Sequence, residues 1–434
     1  MRQTLFLIPD EWLASFALPL WLVLCVIALL IQARRFGWGK ESVGMIWVSV
    51  FGAIVVGFVL PRIGINVSDP TDPSKTLAGL PIRGFGLMFL LATVAGVGLA
   101  TRRARQMGVE PDEILGLAFA MFITGIIGAR VYYVVQYWEQ FQTDDLVTTV
   151  TRIVNTTQGG IVVYGALIGS LLAAVVTCWR RRLPMLAIAD LIMPAMLIGL
   201  SIGRIGCFMN GCCYGGVCDW PVAVQFPSRP VYADAGQLTP PYDKQLDTGQ
   251  LIGLTTRVDV GGEDWREVLK VEGQSLGERA EIQVGDRMRR VRNAPGLYQL
   301  EIKSDAQGPS RLFEMPLLEL PPRSNPVHPT QLYSSINALL LCFFLWFYYP
   351  FRYGDGEVFG MGLCLYAIAR FLLELIRDDE PGQLNTELTT AQLTSLMMFI
   401  LGTGLVIWSR LRRPFRALPL EKSPLSETVS PSPN

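Results

Sequence analysis

The sequence predicts an all-α polytopic membrane protein of about nine transmembrane helices, carrying a small β-rich extracytoplasmic insertion. Three observations carry that prediction. Half of the 434 residues are hydrophobic and 17% are charged, against about 25% charged in an ordinary soluble domain. The apolar residues are gathered in runs of roughly 18–24, long enough to cross a hydrocarbon core of about 30 Å as helix. Clusters of Lys and Arg recur after alternate runs. The formal net charge is zero, which gives no bulk attraction to nucleic acid, so no nucleic-acid partner is expected. His328 is the single histidine, which excludes a histidine-rich metal site or a catalytic histidine pair.

The first run, Trp12–Ile31, has only Arg2 ahead of it as a basic residue and follows Asp10 and Glu11, unlike a cleaved leader. Cys25, in LVLCVI, lacks the small residues that precede an acylated cysteine. Val43–Leu60, Gly84–Ala100, Glu113–Val135, Gly160–Trp179 and Met185–Phe208 follow. After a long polar stretch come Gln331–Tyr349, Glu357–Ile376 and Thr390–Ser409. Arg34, Arg35 and Lys40 follow the first run, Arg102, Arg103 and Arg105 the third, Arg180 to Arg182 the fifth, and Arg410, Arg412, Arg413 and Arg416 the last. All lie on the cytoplasmic side if the N-terminus is outside and the C-terminus inside. The opposite loops are longer and several are acidic, such as Glu139 to Asp145.

Residues 1–79 therefore read as two N-terminal helices with an outer loop, and 80–228 and 321–418 as the two parts of a membrane core. Residues 229–320 form the insertion, which mixes both charge signs with β-prone pieces (TTRVDV, LYQLEIK) and turn signals at Gly261-Gly262 and Gly285-Asp286. Within it, SLGERAEIQVGDRM resembles a PDZ-type strand and turn; the other reading is an ordered insertion with no binding role. Residues 419–434 are Ser/Pro-rich and are expected to be a disordered cytoplasmic tail.

Ionisable groups inside apolar runs are costly and mark functional sites by default. Arg130 lies in GARVYYV, and Arg204 follows Gly199 and Gly203. Asp190, near the inner end of its run, reads as structural, paired with a loop arginine. Tyr366, Arg370, Glu374 and Arg377 fall within roughly 80° of one another at about 100° per residue, so they share one helix face. Arg370 and Glu374 read either as a self-neutralising i,i+4 pair or as a guanidinium held ready for an anion. A planar guanidinium fork suits phosphate, and Arg204 and Arg370 together suit one phosphate group. Gly165, Gly169 and Ala173, like Gly199 and Gly203, have the spacing of close helix packing.

Cys25, Cys178, Cys342 and Cys364 are scattered in or at the ends of runs and read as small apolar fillers. Cys207, Cys212, Cys213 and Cys218 cluster at the outer end of the sixth run. Three explanations stay open: disulfides on an oxidising face, a soft-metal site whose spacing matches no common zinc pattern, or a reactive thiol. His328, in NPVHPTQLYSS, is either a cap or strut, or, as the lone imidazole, a proton acceptor.

These motifs resemble, in order, those of the bacterial prolipoprotein diacylglyceryl transferases. GFGLMF (Gly84–Phe89), GARVYYV with Arg130, GGIVVYGALIG (Gly159–Gly169), DLIMPAMLIGLSIGRIGCFMNG, HPTQLY, the Tyr366, Arg370 and Glu374 spacing, and QLTSLMM carry the resemblance over about Leu80 to Gly404. It implies a seven-helix core, made by the third to ninth runs, with the first two added. It also implies a bacterial inner-membrane location and transfer of diacylglyceryl from phosphatidylglycerol to the lipobox cysteine of a preprolipoprotein, releasing glycerol 1-phosphate. The partners would be phosphatidylglycerol, the lipobox segment and membrane lipids; no cofactor and no metal is implied. By position, Arg204 and Arg370 would hold the phosphate, Glu374 would orient Arg370, and Asn210, Gly215, Tyr366 and Arg130 would line the substrate. Tyr164 or His328 would take the thiol proton. The chain departs from the family pattern at Tyr164, where the family has histidine, at Cys207 (asparagine), at Cys212 (glutamate) and at Phe85 (tyrosine). Those departures keep two rivals in view: a paralogue with thiol–disulfide or other lipid-transfer chemistry, and a non-enzymatic membrane scaffold.

Overall fold

The computed structural model describes residues 3–36, 46, 49–50, 52–53, 65–68, 76–142, 145–154, 160, 162–229, 238–258, 265–291, 297–304, 309–377, 388–411 and 416–418. Among these, seven helices are long and apolar enough to cross a membrane, beginning with Asp10–Arg34. Its main α-helical part is α1 (Leu18–Phe36). The others are α2 (Gly84–Gln106), α3 (Pro111–Gln136), α4 (Val163–Arg180), α5 (Met185–Asn210), α6 (Thr330–Tyr348, extended by a turn to Phe351) and α8 (Thr390–Leu411). Between the last two lies α7 (Glu357–Glu374), an 18-residue helix that bears Glu357, Arg370 and Glu374 and falls outside the seven for that charge. The expected run Val43–Leu60 lies almost entirely outside the described residues. Eight of the nine expected runs are thus helices among the described residues, seven apolar and one charged, and the other expected run falls almost entirely outside them.

The chain forms two compact units. The first comprises Met1–Phe89, Gly203–Tyr333 and Ile376–Asp379; the second comprises Leu90–Ile202, Ser334–Leu375 and Glu380–Asn434. The second is helical. Its core gathers Ala104, Ile114, Leu117, Ile188, Leu191, Leu345 and Val358. α3 and α4 meet through glycine. A Cβ on Gly165 would stand 2.3 Å from the Gly128 carbonyl oxygen, and one on Gly128 would stand 2.4 Å from that of Gly165. Backbones can come that close only without side chains, which is how membrane helices gain packing where burial from water gives little. Asp190 is fully buried, and its carboxylate accepts from the Gly356 and Phe359 amides at 2.8 Å each, capping the start of α7 from a distance in sequence. Arg352 Nε lies 3.9 Å from the same carboxylate, so Asp190 is structural and the arginine it faces is Arg352.

The first unit holds two sheets. One is five-stranded and antiparallel, a simple meander of β4 (Leu254–Val258), β5 (Arg266–Val271), β6 (Arg287–Val291), β7 (Leu297–Lys303) and β8 (Arg311–Pro316). Its inward positions, Leu254, Val268, Met288, Leu300 and Ile302, pack with Tyr242 and Leu246 of the helix Pro240–Asp247. Two of the β-prone pieces read from the sequence, TTRVDV and LYQLEIK, supply β4 and β7. The second sheet was not expected. β1 (Thr4–Pro9) and β2 (Ile65–Ser68) flank β3 (Thr76–Arg83) in antiparallel register, with Thr4 opposite Arg83 and Ser68 opposite Thr76.

Candidate active site

The first unit collects Arg204, Asn210, Gly215, His328 and the cysteine cluster, all built around the last turns of α5. That helix stops because Gly211 adopts a left-handed backbone, φ +78°. The Gly211 amide bonds back to the Phe208 carbonyl and the Cys212 amide to the Cys207 carbonyl, each at 3.2 Å. This is the paired pattern of a Schellman cap, and it folds residue 212 back over residue 207. Cys213 then takes φ +58°, a region that non-glycine residues seldom enter.

The loop beyond is held from outside. Gln331 Nε2 donates to the Cys212 carbonyl at 2.6 Å, and Thr330 Oγ1 donates to the Cys213 carbonyl at 2.7 Å. The Gly215 amide bonds to the His328 carbonyl and the Gly216 amide to the Ile376 carbonyl, both at 2.9 Å. Gly215 has no room for a side chain: a Cβ there would lie 2.7 Å from His328 Cβ and 2.8 Å from Thr330 Cγ2. HPTQLY thus acts as a clamp. Gln331 and Thr330 are positioning residues, a role that the motif HPTQLY does not by itself reveal. What could have found them is their burial, 0% and 3% exposed, at the polar first turn of an apolar helix.

Arg204 stands two turns before this cap. Its Nε is buried and has no hydrogen-bond partner among the described residues. An orphaned guanidinium nitrogen is costly, and it is what a site awaiting an anion leaves open. The charges of Arg204 and Arg377 both reach Cys213. That thiol is held well below the usual thiol range, first by hydrogen bonds from Cys207 and Cys212 and then by those two arginines, against burial. The Asn210 side chain reaches the Cys212 thiol, and the Asn210 main-chain carbonyl accepts from Gln3 Nε2 at 2.8 Å. All eight cysteines are free thiols. His328 Nδ1 is 3.4 Å from Tyr333 Oη, and its ring meets Trp220 and Tyr333 edge-on.

The second unit holds Arg130, Tyr164, Tyr366, Arg370 and Glu374. Arg370 Nη1 makes a short ion pair with Glu374 Oε2; the glutamate is 1% exposed and its other oxygen accepts from Thr389 Oγ1 at 3.1 Å. Glu374 is therefore fixed from two sides and presents Arg370 in turn. Tyr164 is on the exposed first turn of α4, and Tyr366 lies mid-way along α7. Arg130 is held by main-chain carbonyls. Its Nε, Nη1 and Nη2 donate to the carbonyls of Ile153, Gly160 and Arg152 at 2.8, 2.9 and 2.9 Å. It caps the short helix Leu146–Val154 and ties it to the start of the next segment, so it acts as a strut.

Comparison with known proteins places this arrangement. A family model described as prolipoprotein diacylglyceryl transferase matches residues 74–408. A phosphatidylglycerol–prolipoprotein diacylglyceryl transferase of Rhodopirellula baltica is 33% identical over 445 aligned positions, covering 92% of this chain and 87% of that protein. The protein of that name from Clostridium tetani is 25% identical, over 78% of this chain and 97% of its own length. A second transferase of that name, from Clostridium perfringens, is 23% identical over 76% of this chain and 91% of its own.

Proposed function

The chain belongs to the prolipoprotein diacylglyceryl transferase family, and on that premise we propose how its own residues carry the reaction. It is a phosphatidylglycerol–prolipoprotein diacylglyceryl transferase, a multi-pass membrane enzyme that moves a diacylglyceryl group from phosphatidylglycerol to the cysteine thiol of a preprolipoprotein lipobox. The sulfur forms a bond to the glyceryl carbon. The carbon–oxygen bond to the phosphate breaks, its electron pair leaves with that oxygen, and glycerol 1-phosphate departs.

The observation that carries the assignment of roles is the buried, unpartnered Nε of Arg204 at the capped end of α5. Arg204 is proposed to hold the phosphodiester and neutralise the charge that grows on the leaving phosphate, the contribution that usually dominates such a step, and Arg370 is the second arginine proposed for phosphate binding. Glu374 keeps the Arg370 fork in one orientation. Asn210 and Tyr366 donate hydrogen bonds to the donor lipid, and Gly215 lines the site in the loop that packs against His328 and Thr330. Arg130 supports the site through the segment it caps. The thiol must lose its proton to become the nucleophile. His328, through its neutral imidazole, and Tyr164, as a phenolate in the position where the family carries histidine, are the two groups proposed to accept it.

The basic clusters after alternate helices support an inner-membrane orientation with the N-terminus outside and the C-terminus in the cytoplasm. In that orientation the five-stranded sheet is extracytoplasmic. The test is an assay of the purified chain with phosphatidylglycerol and a lipobox peptide, alongside complementation of a strain depleted of its own transferase. Wild type should lipidate the peptide and rescue growth, and Arg204→Ala should do neither. A wild-type chain that binds the lipid but leaves the thiol unmodified sinks the assignment. In the same assay, loss of turnover in Tyr164→Phe but not in His328→Gln names the tyrosine as acceptor, and the reverse names the histidine.

A further inference from the structure

The thiols of Cys207, Cys212 and Cys213 lie within 4.8 Å of one another, each partly buried, and the transfer reaction described above uses none of them. Their convergence has a backbone cause. The Schellman cap returns residue 212 to residue 207, and the left-handed Cys213 turns the next thiol toward the same point. Gln331 and Thr330 then fix the carbonyls of both loop cysteines. The three sulfurs are thus preorganised by elements that are themselves buried and hydrogen-bonded, as ligands of a metal site are.

We propose that Cys207, Cys212 and Cys213 form a trithiolate site for a soft d10 cation, with Zn(II) as its reference ion. Sulfur donors without carboxylate select such ions over Mg(II) or Ca(II), which take oxygen. At a Zn–S distance of about 2.3 Å, tetrahedral ligands stand about 3.8 Å apart, so the thiols need to close by only about 1 Å. Three thiolates around a divalent ion carry one net negative charge, and the charges of Arg204 and Arg377, both acting on Cys213, oppose it. No oxidant or reductant enters: binding sends the protons still held by the thiols to solvent. Three protein ligands leave the fourth tetrahedral position open, as in sites that take water or a further ligand. The loop spacing C-x4-C-C departs from the common zinc patterns because one helix cap, rather than two separate knuckles, brings the ligands together.

The experiment uses the full chain, reduced and purified in detergent, treated with chelator and then offered Zn(II) or, separately, Cd(II). The expected result is one equivalent of Zn(II) per chain by elemental analysis after gel filtration, with thiolate-to-cadmium charge-transfer absorption for Cd(II). Cys207→Ser, Cys212→Ser and Cys213→Ser should each weaken binding by at least about tenfold, while Cys364→Ser should bind as wild type. A second measurement needs no variant. Bound Zn(II) should shield Cys207, Cys212 and Cys213 of the wild type from alkylation, read by peptide mass, and leave the labelling of Cys364 unchanged. Absence of stoichiometric metal, equal alkylation with and without it, or a disulfide joining any two of the three in protein isolated without reductant would each overturn the proposal.

Discussion

Arg130 and Arg204 sit in helices of similar length and apolarity, and the surroundings of the two use the same side chain in opposite ways. Around Arg130 every guanidinium nitrogen meets a main-chain carbonyl, and rings of Tyr133 and Phe141 lie beside it at 5.6 and 5.2 Å. Around Arg204 the helix is ending, the loop beyond is clamped, and one buried nitrogen has no partner among the described residues. Both arginines satisfy the rule that a charge in an apolar span marks something important. The contrast lies in the hydrogen bonds: three main-chain carbonyls of the fold hold Arg130, whereas Arg204 keeps a buried Nε that no group among the described residues satisfies, which is the capacity the proposed phosphate contact would use.

The sharpest way to break that comparison is to remove both arginines separately and read stability and turnover together. Arg204→Ala is expected to lower kcat for lipobox peptide by about 10²–10³, the effect of deleting a donor to developing negative charge. Its melting temperature should hold or rise, because the change removes a buried donor that the fold leaves unsatisfied. Arg130→Ala is expected to do the reverse. Losing charge-assisted bonds to three carbonyls should cost about 3 kcal/mol of stability in thermal unfolding, with KM for phosphatidylglycerol little changed in the protein that remains folded. If Arg204→Ala melts early and Arg130→Ala does not, the roles are exchanged.

A smaller effect tests the scaffold on the Arg130 side. Gly165→Ala places a Cβ 2.3 Å from a carbonyl oxygen, so α3 and α4 must separate; about 1–3 kcal/mol of destabilisation is expected from denaturant-dependent proteolysis. The smallest tests the clamp on the Arg204 side. Gln331→Ala removes one bond to the Cys212 carbonyl and should cost about 1 kcal/mol, lowering kcat by up to about tenfold with KM for the peptide less affected. A larger fall in KM-linked binding than in kcat would make Gln331 a substrate ligand instead of a positioning residue.

Much of this molecule is legible locally. A run of apolar residues is long enough for a helix or it is not, so α2 to α6 and α8 follow from composition along the chain. α7 is equally legible as a helix, and its charged face is visible in the spacing of Tyr366, Arg370 and Glu374. β4 and β7 follow from β-branched and aromatic alternation. The sheet of β1, β2 and β3 was missed because its pairing joins Thr4 to Arg83 across an intervening membrane helix, and nothing in either strand names its partner. The site residues themselves could be picked by type and spacing, but their offices could not.

The sequence by itself determined the helices, the presence of charge inside them and the family pattern around Arg204, because hydrophobic length and residue type act over a few neighbours at a time. Tertiary structure alone decided that Arg130 donates to three carbonyls, that Asp190 caps a helix begun at Glu357, and that three cysteines one to six residues apart converge. Those outcomes depend on which groups a folded backbone brings within about 3 Å of each other, a distance that no spacing along the chain encodes.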